Sequence, residues 1–265
     1  MPRLRVVTHT SACRHVAPIS SGLLAMTLVE LLFSLTLEAK LCYIGLMDIS
    51  WLGHSCFRIR GSQGFIITDP YSPDTGYTLG KQTARIVTVS HSHPSHSFAQ
   101  GVGGEPKIVT GPGEYEIAGV FIIGLATYHD NEAGKKLGRN TIYTMEIDGI
   151  NVCHLGDLGH VLSSDKVEQM GSVDVLMIPV GGVSTLNATM AAEVVRQIVP
   201  KIVIPMHYKT PAIKRELDPL DRFLKEMGVM QTKSQSKLSV SASTLPLTTQ
   251  VVVLDYKEPA PGKKD

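Results

Sequence analysis

Cysteine, aromatic side chains and excess charge of either sign are scarce in this sequence of 265 residues. Its four cysteines, Cys13, Cys42, Cys56 and Cys153, lie far apart with no C-x-x-C spacing. This spacing argues against a disulfide framework and against a cysteine-based zinc module. We interpret the cysteines as free, reduced and mostly buried thiols.

The charge balance and the hydrophobic content limit the class of protein. Lys and Arg number 25 against 24 Asp and Glu, and the basic residues are scattered. The sequence therefore shows no clear basic region of the kind that binds nucleic acid, although a small local basic patch would not change the net charge enough to be noticed. With 43% hydrophobic and 18% charged residues, we expect a globular enzyme with a small-molecule substrate. The sequence does not indicate an oligomeric state.

The first 46 residues differ from the rest of the chain. Three arginines precede the apolar run Leu23–Leu37, an order that resembles a secretory signal or a membrane anchor. The run contains Glu30, is shorter than the roughly 20 apolar residues that span a bilayer, and is followed by no clear cleavage site. We expect a start codon assigned too early, a true start at Met47 and a cytoplasmic protein. A membrane or export segment, or an added amphipathic helix, is the alternative. The predicted regions are an N-terminal extension (1–46), one main domain (47–257) and a disordered tail (258–265).

From Met47 onward, strands come first and then alternate with helices. Short β-branched runs separated by glycine-containing turns predict an antiparallel meander with a hairpin turn at Asp148-Gly149, and Gly111–Glu116 is interpreted as a tight solvated turn. The order of elements predicts an α/β domain with two sheets covered by helices on their outer faces. Helical spacing predicts helices at Ser164–Met170, Asn187–Val199 and Ile213–Glu226, alternating with strands at Val173–Ile178 and Lys201–Met206.

A cluster of histidines follows one of the predicted strands. The segment His91-Ser-His93-Pro-Ser-His96 comes directly after the apolar run 84–90. His91 and His93 lie on one side of an extended segment because strand side chains alternate, so both reach one cation. His96 follows the break that Pro94 imposes and suits a neighbouring cation. Neutral imidazole binds zinc, iron and manganese, so the residue type alone does not select the ion.

Further metal-ligand candidates end other predicted strands. His129 closes one apolar run, and His207 closes another. Asp157 stands between glycines, where a carboxylate approaches cations closely and bridges two of them. His154 and His160 flank Asp157, but only one face points to the metals, so both are left out of the predicted ligand set.

Together these segments resemble the metallo-β-lactamase superfamily from Asp48 to about Tyr256. His91–His96 is similar to the H-x-H-x-D-H motif of that family, Gly156-Asp157 to its bridging aspartate, and His129 and His207 to its remaining histidines. The segments Gly53–Phe57, Thr68–Pro70 and Ile204–Tyr208 are most similar to the L-ascorbate-6-phosphate lactonase-like branch.

The resemblance implies a four-layer αββα sandwich with a hydrolytic site at one edge of the sheets. It implies one or two Zn²⁺, with Mn²⁺ or Fe²⁺ as alternatives, and hydrolysis of an ester, lactone, amide or phosphoester. His54, which follows a glycine at the end of the first predicted strand, is assigned a catalytic or supporting role beside Asp157, with a purely structural role as the alternative. Asp69 either orients a histidine or simply ends its strand. The implied ligands are His91, His93 and His129 for the first cation, Asp157 as the bridge, and His96 with His207 for the second.

One residue departs from the family pattern. Ser95 stands where the family has an aspartate that binds the second metal, so that site loses an oxygen donor and a negative charge. We expect weaker binding there, which gives either a single-metal hydrolase or a two-metal enzyme in which Asp130, Asp69 or water substitutes as the donor. A metal-binding module without turnover is the alternative function, and a di-iron oxidoreductase is a third. We expect the substrate wall to come from the loops Tyr71–Gly80 and Gly111–Gly119.

Overall fold

The computed structural model describes residues 45–256. The predictions for the N-terminal extension, apart from its last two residues, and for the tail 258–265 lie outside this range. No helix within it is long and apolar enough to cross a membrane, and the cytoplasmic location stays a prediction.

Fifteen strands and three α-helices form the described part of the chain. The helices, which we label in chain order, are α1 (Ser164–Met170), α2 (Ala188–Ile198) and α3 (Leu220–Glu226). The strands are β1 (Met47–Gly53), β2 (Cys56–Gly61), β3 (Gly64–Thr68), β4 (Gln82–Thr83), β5 (Ile86–Val89), β6 (Val102–Gly103), β7 (Lys107–Thr110), β8 (Gly113–Ile117), β9 (Val120–Tyr128), β10 (Arg139–Ile147), β11 (Ile150–His154), β12 (Val175–Pro179), β13 (Ile202–Met206), β14 (Leu238–Val240) and β15 (Gln250–Val251).

The first large sheet has six strands in the order β14-β1-β2-β3-β5-β7. Its residues alternate between two hydrophobic clusters, as the period of a strand requires. Ile66 and Ile86 face the main core between the sheets, whereas their neighbours Ile67 and Val87 face a second cluster on the outer side. Both faces of this sheet are therefore buried, which explains its continuous β-branched runs.

The second large sheet has seven strands in the order β15-β13-β12-β11-β10-β9-β8. Its strands β8 to β11 are antiparallel, whereas β11, β12, β13 and β15 run parallel. Parallel neighbours need crossover connections, and α1, α2 and α3 lie in the connections from β11 to β12, from β12 to β13 and from β13 to β15. The start of α2 is fixed because the Asn187 side chain accepts the Met190 N–H at 2.9 Å. Ala191, Val194 and Val195 of α2 join the main core.

The predicted α/β class and the two-sheet sandwich are confirmed. The hairpin at Asp148-Gly149 is confirmed as well, since Ile147 pairs with Ile150 and both turn residues have positive φ. In the described range, the outer face of the first sheet is covered by loops and by single 3₁₀ turns at Pro73–Thr75 and Ala99–Gly101.

Two local predictions were wrong. The predicted helix Ile213–Glu226 begins only at Leu220, because Pro219 keeps the chain before it extended. Ile213 instead packs in a loop against the outer cluster. The predicted turn at Gly111–Glu116 is largely strand β8, which pairs with β9 around a tight turn at Ala118-Gly119. The alternation of apolar and polar residues that marks a strand is weak in β8, because its side chains are mostly exposed.

Candidate metal centre

The candidate side chains gather where several strands end. In the first sheet, His54 follows β1, Asp69 follows β3, and His91 lies two residues after β5. In the second sheet, His129 follows β9 and His207 follows β13. Within each sheet these strands run in the same direction, so their C-terminal ends meet at one edge.

Asp157, three residues after β11, lies at the centre of the group and is 1% exposed. The structure places four of the other six predicted site residues around its Oδ2 atom. This oxygen is 3.1 Å from Nε2 of His96, 3.1 Å from Nε2 of His129, 3.4 Å from Nε2 of His207 and 4.0 Å from Nε2 of His91.

Asn140 and two glycines position Asp157. The Asn140 side-chain oxygen accepts the Asp157 N–H at 2.9 Å, and its amide group donates to two further oxygens at 2.9 Å. A Cβ atom on Gly156 would lie 2.3 Å from the Asn140 oxygen, and one on Gly159 would lie 2.3 Å from the His129 carbonyl oxygen. Only glycine fits at both positions, so these glycines let the carboxylate come close to its neighbours.

Asp69 orients His96, which is the first of the two roles that the sequence left open. The Asp69 carboxylate accepts the Ser90 N–H at 2.8 Å and the Ser90 hydroxyl at 2.5 Å, and it lies 2.9 Å from Nδ1 of His96. Both Asp69 and His96 are fully buried. A carboxylate that accepts the Nδ1 proton leaves the Nε2 lone pair free for a cation.

Ser95 contacts a histidine and supplies no carboxylate. Its hydroxyl lies 2.6 Å from Nδ1 of His93, so it holds that ring in place. The His93 ring is exposed, and its centroid is 6.1 Å from that of His91 and 6.5 Å from that of His96. His93 therefore stands at the edge of the histidine cluster in this structure.

His54 lies inside the cluster. Its ring is 1% exposed, and its centroid lies 4.3 Å from that of the tilted His207 ring and 4.8 Å from that of His96. His54, Asp69 and His207 all have left-handed backbones, with φ of 53°, 39° and 53°. Each such residue costs about 1–3 kcal/mol, and such strain concentrates at functional sites.

The electrostatics favour an ionised Asp157 carboxylate and shift the pKa values of the neighbouring rings in both directions. Burial opposes ionisation of Asp157, but the neighbouring His207 and His96 hold its pKa well below the usual value. Burial, together with His96, lowers the pKa of His91 to about 4, so this ring is neutral at pH 7. Burial lowers the pKa of His54 well below its usual value as well.

Neutral imidazole is the form that binds metals. Burial opposes a charge on His96, but the neighbouring carboxylates outweigh it and raise the pKa of His96 to about 9, so a cation that binds this ring must displace a proton. Against the same effect of burial, Asp157 also raises the pKa of His129.

Three nearby residues have other partners and do not join the group. The Asp130 carboxylate accepts four backbone N–H groups of the following loop, at 2.7 to 3.0 Å. His154 uses both ring nitrogens, one with the Ser55 carbonyl oxygen and one with the Gly156 N–H. His160 accepts the Tyr128 N–H at 3.3 Å. Leaving His154 and His160 out of the ligand set agrees with these contacts.

The donor set fits a divalent cation. Two overlapping groups have ligand atoms within 4.8 Å of one another: His91 with His96 and Asp157, and His54 with His96 and His207. Within the described range, both nitrogens of His54, Nδ1 of His207 and Oδ1 of Asp157 have no hydrogen-bond partner. Unpaired buried polar atoms are costly, and several within one cluster of histidines and a carboxylate are typical of a metal site.

A cavity of about 1510 Å³ opens onto one side of this centre. His91, His93, His129 and Asp157 line it, whereas His54, His96 and His207 lie behind it and are 0–1% exposed. The exposed side chains Ile108, Tyr128 and Leu137 form an apolar wall around the cavity. Of the loop Gly111–Gly119, which was expected to form the wall, only Gly111 and Pro112 line the cavity. The other expected loop, Tyr71–Gly80, does not line it.

A model of the Beta-lactamase superfamily domain matches residues 48–207, which include every predicted site residue. The chain belongs to this superfamily. Relatives of this superfamily member include a UPF0173 protein of Pyrococcus furiosus, 30% identical over 204 residues that cover 68% of this chain and 90% of the relative. A UPF0173 metal-dependent hydrolase of Thermococcus onnurineus is 27% identical over 193 residues, covering 62% of this chain and 86% of the relative.

A solved structure agrees with these matches. It is a candidate Zn-dependent hydrolase of the metallo-β-lactamase superfamily from Thermotoga maritima, 39% identical to this chain with a TM-score of 0.65. The similarity covers 78% of this chain and 98% of that protein. The recognition of the superfamily and of its sandwich fold from sequence is therefore confirmed. The lactonase-like branch and the individual ligand assignments stay predictions.

Sequence reasoning missed the positioning residues of the site. Nothing local marked Asn140 or Ser90 as the residues that hold Asp157 and Asp69. His54 was singled out because it follows a glycine at a strand end, but its burial beside His207 was not expected. The positive φ of His54 depends on tertiary contacts, so only the structure reveals it.

Proposed function

We propose that this metal-dependent hydrolase holds zinc and cleaves an ester, lactone, amide or phosphoester bond of a small molecule. The observation that carries the proposal is the convergence of four imidazoles on Oδ2 of Asp157, at 3.1 to 4.0 Å. The proposed ligands are His91, His93 and His129 for a first cation, Asp157 as the bridge, and His96 with His207 for a second.

The residues of this chain prepare the site for such cations. When bound, divalent cations lower the pKa of a water molecule and stabilise negative charge that develops on the substrate. Asp157 contributes an ionised carboxylate between the two groups, and Asn140 keeps it in place. Asp69 fixes His96 with Nε2 toward Asp157. Within residues 45–256, buried rings close the far side of the centre, and the cavity gives a substrate access to the near side.

The donor types support zinc. Imidazole nitrogens with one carboxylate suit zinc, iron and manganese better than magnesium or calcium, which prefer oxygen donors. The Thermotoga maritima relative is a candidate zinc enzyme, which supports the same choice. Mn²⁺ and Fe²⁺ are the alternatives that a metal analysis separates.

The cavity suggests the shape of the substrate. Because Ile108, Tyr128 and Leu137 are exposed there, a substrate with an apolar portion gains favourable contacts. His91, His93 and His129 face the same space, so the scissile bond lies next to the first-cation ligands.

A substrate panel tests the proposal. Chelated protein is reloaded with Zn²⁺, Mn²⁺ or Fe²⁺ and assayed with chromogenic esters, lactones, anilides and phosphodiesters. We expect metal-dependent turnover of at least one class, and we expect the Asp157→Asn variant to lose it. If the loaded protein cleaves none of the classes but the Ser95→Asp variant does, the alternative of a metal-binding module without turnover is the correct one.

A further inference from the structure

His54 has the properties of an unused metal donor. It is 1% exposed, and neither of its ring nitrogens has a hydrogen-bond partner within the described range. Leaving one such buried group unpaired costs about 1–3 kcal/mol. His154 is equally buried and provides the contrast, because both of its nitrogens are paired. The structure therefore satisfies one buried histidine completely and leaves the other free.

The backbone holds the His54 ring in this position. Gly53 and His54 both have positive φ, of 113° and 53°. The His54 carbonyl oxygen accepts the Trp51 indole N–H at 3.0 Å and the His207 N–H at 3.1 Å. The second contact ties His54 directly to another member of the cluster. A strained backbone, locked by two hydrogen bonds, aims the ring at His96 and His207.

The other candidate donors for this position are occupied. The sequence suggested Asp130, Asp69 or water as the substitute for the aspartate that Ser95 replaces. Asp130 accepts four backbone N–H groups, and Asp69 is bound to Ser90 and to His96. Ser95 itself is bound to His93. His54 is the side chain with free donor atoms whose nitrogen lies within 4.8 Å of those of His96 and His207.

We propose that His54 is a ligand of the second cation, which it binds together with His96, His207 and Asp157. This inference rests on the proposed function, because it assumes that cations bind at this centre. A fourth donor completes the coordination number that zinc prefers in proteins. The His54 nitrogen replaces the donor atom of the aspartate for which Ser95 stands, but it does not replace the negative charge of that aspartate.

Metal stoichiometry and affinity test this assignment without any activity assay. Chelated protein is titrated with Zn²⁺ by calorimetry, and bound zinc is measured by elemental analysis after desalting. We expect two zinc ions per chain in the unaltered protein. We expect one in the His54→Gln variant, with the affinity of the second site more than about 100-fold weaker, since even outer-shell losses cost 10–100-fold.

Two further variants sharpen the result. His160→Ala removes a histidine outside the cluster and should keep both zinc ions. In His54→Gln with Ser95→Asp, the new carboxylate should recover the second zinc ion. The unaltered protein, labelled with ¹⁵N, gives an independent readout: zinc should shift the His54 ring nitrogen resonances as it shifts those of His207.

The outcomes separate the two proposals. If His54→Gln binds two zinc ions as tightly as the unaltered protein, or if the His54 ring nitrogens do not shift, the His54 assignment is wrong while the metal centre stands. If the unaltered protein binds no cation at all, the proposed metal-dependent function is wrong, and the His54 assignment is wrong with it. If His54→Gln does not fold, the nitrogen resonances of the unaltered protein decide.

Discussion

Replacing Asp69 by asparagine tests how the centre is organised. The Asp69 Oδ2 atom lies 2.5 Å from the Ser90 hydroxyl and 2.9 Å from Nδ1 of His96, and Oδ1 accepts the Ser90 N–H at 2.8 Å. Asparagine has one acceptor oxygen, which the Ser90 N–H requires. Its NH₂ group must then face His96 and donate to Nδ1. The ring proton moves to Nε2, the atom 3.1 Å from Asp157, and Nε2 no longer offers a lone pair to a cation.

The size of the effect follows from this change. Loss of a carboxylate that orients a metal-binding histidine weakens metal affinity about 10–100-fold, or about 1.4–2.7 kcal/mol. In the metal-free protein, hydrogen bonds to a charged, fully buried group, worth about 1.5–3 kcal/mol each, are also replaced by neutral ones, worth about 0.5–1.5 kcal/mol each. We therefore expect both weaker zinc binding and a lower melting temperature in Asp69→Asn.

A zinc competition titration against a chromophoric chelator measures the affinity, and thermal unfolding of chelated protein measures the stability. Asp174→Asn is the matched control. Asp174 also accepts a backbone N–H, that of Asn151 at 2.9 Å, but it lies just before β12, at the opposite end of the sheet. Unchanged zinc affinity in Asp69→Asn, or an equal loss in Asp174→Asn, would refute the role given to Asp69.

Three further predictions concern the surroundings of the centre. Gly159→Ala should destabilise the protein by about 1–3 kcal/mol and weaken zinc binding, because its Cβ would lie 2.3 Å from the His129 carbonyl oxygen. The control is Gly103→Ala, whose added Cβ would lie 3.5 Å from its nearest neighbour. In denaturant titrations, its free energy of unfolding should differ from that of the unaltered protein by no more than about 0.5 kcal/mol. Backbone N–H groups lower the pKa of Asp130 to about 2. The ionised carboxylate therefore stabilises the loop fully above pH 4, and this stabilisation is lost as the pH falls through 2. Asp130→Asn should speed amide hydrogen exchange in that loop at neutral pH. Burial raises the pKa of the Cys153 thiol to about 12. Iodoacetamide at pH 8 should therefore leave Cys153 unmodified in folded protein, because the thiolate is the reactive form. Labelling of Cys153 detected by mass spectrometry would contradict its burial.

The location of the centre was predictable because strand ends leave local signals. The apolar run before His91 and the strand before His207 are short, β-branched and buried, and each is followed at once by an imidazole. Residue type and position along the chain suffice to recognise such a pattern. The glycines beside Asp157 were a further local signal, and the structure gives their steric reason.

Patterns with weak local signals were read wrongly. Strand β8 is mostly exposed, so it lacks the alternation that marks a half-buried strand. The segment before Leu220 carries buried apolar residues at helical spacing, but they contact the outer cluster from a loop. Spacing alone does not distinguish these two ways of burying a side chain.

By itself, the sequence determined the class of fold and the residue types of the site, because these depend on short-range periodicity and on which residues end each strand. The resemblance to the superfamily implied the edge at which they gather. The tertiary structure alone decided the partner of each side chain. Ser95 binds His93, Asp69 binds His96, and His54 packs unpaired against His207. The residues of the last two pairs are far apart in the chain. The pairing of β3 with β5 sets the distance between Asp69 and His96, and the packing of the two sheets sets that between His54 and His207. No local pattern encodes either distance.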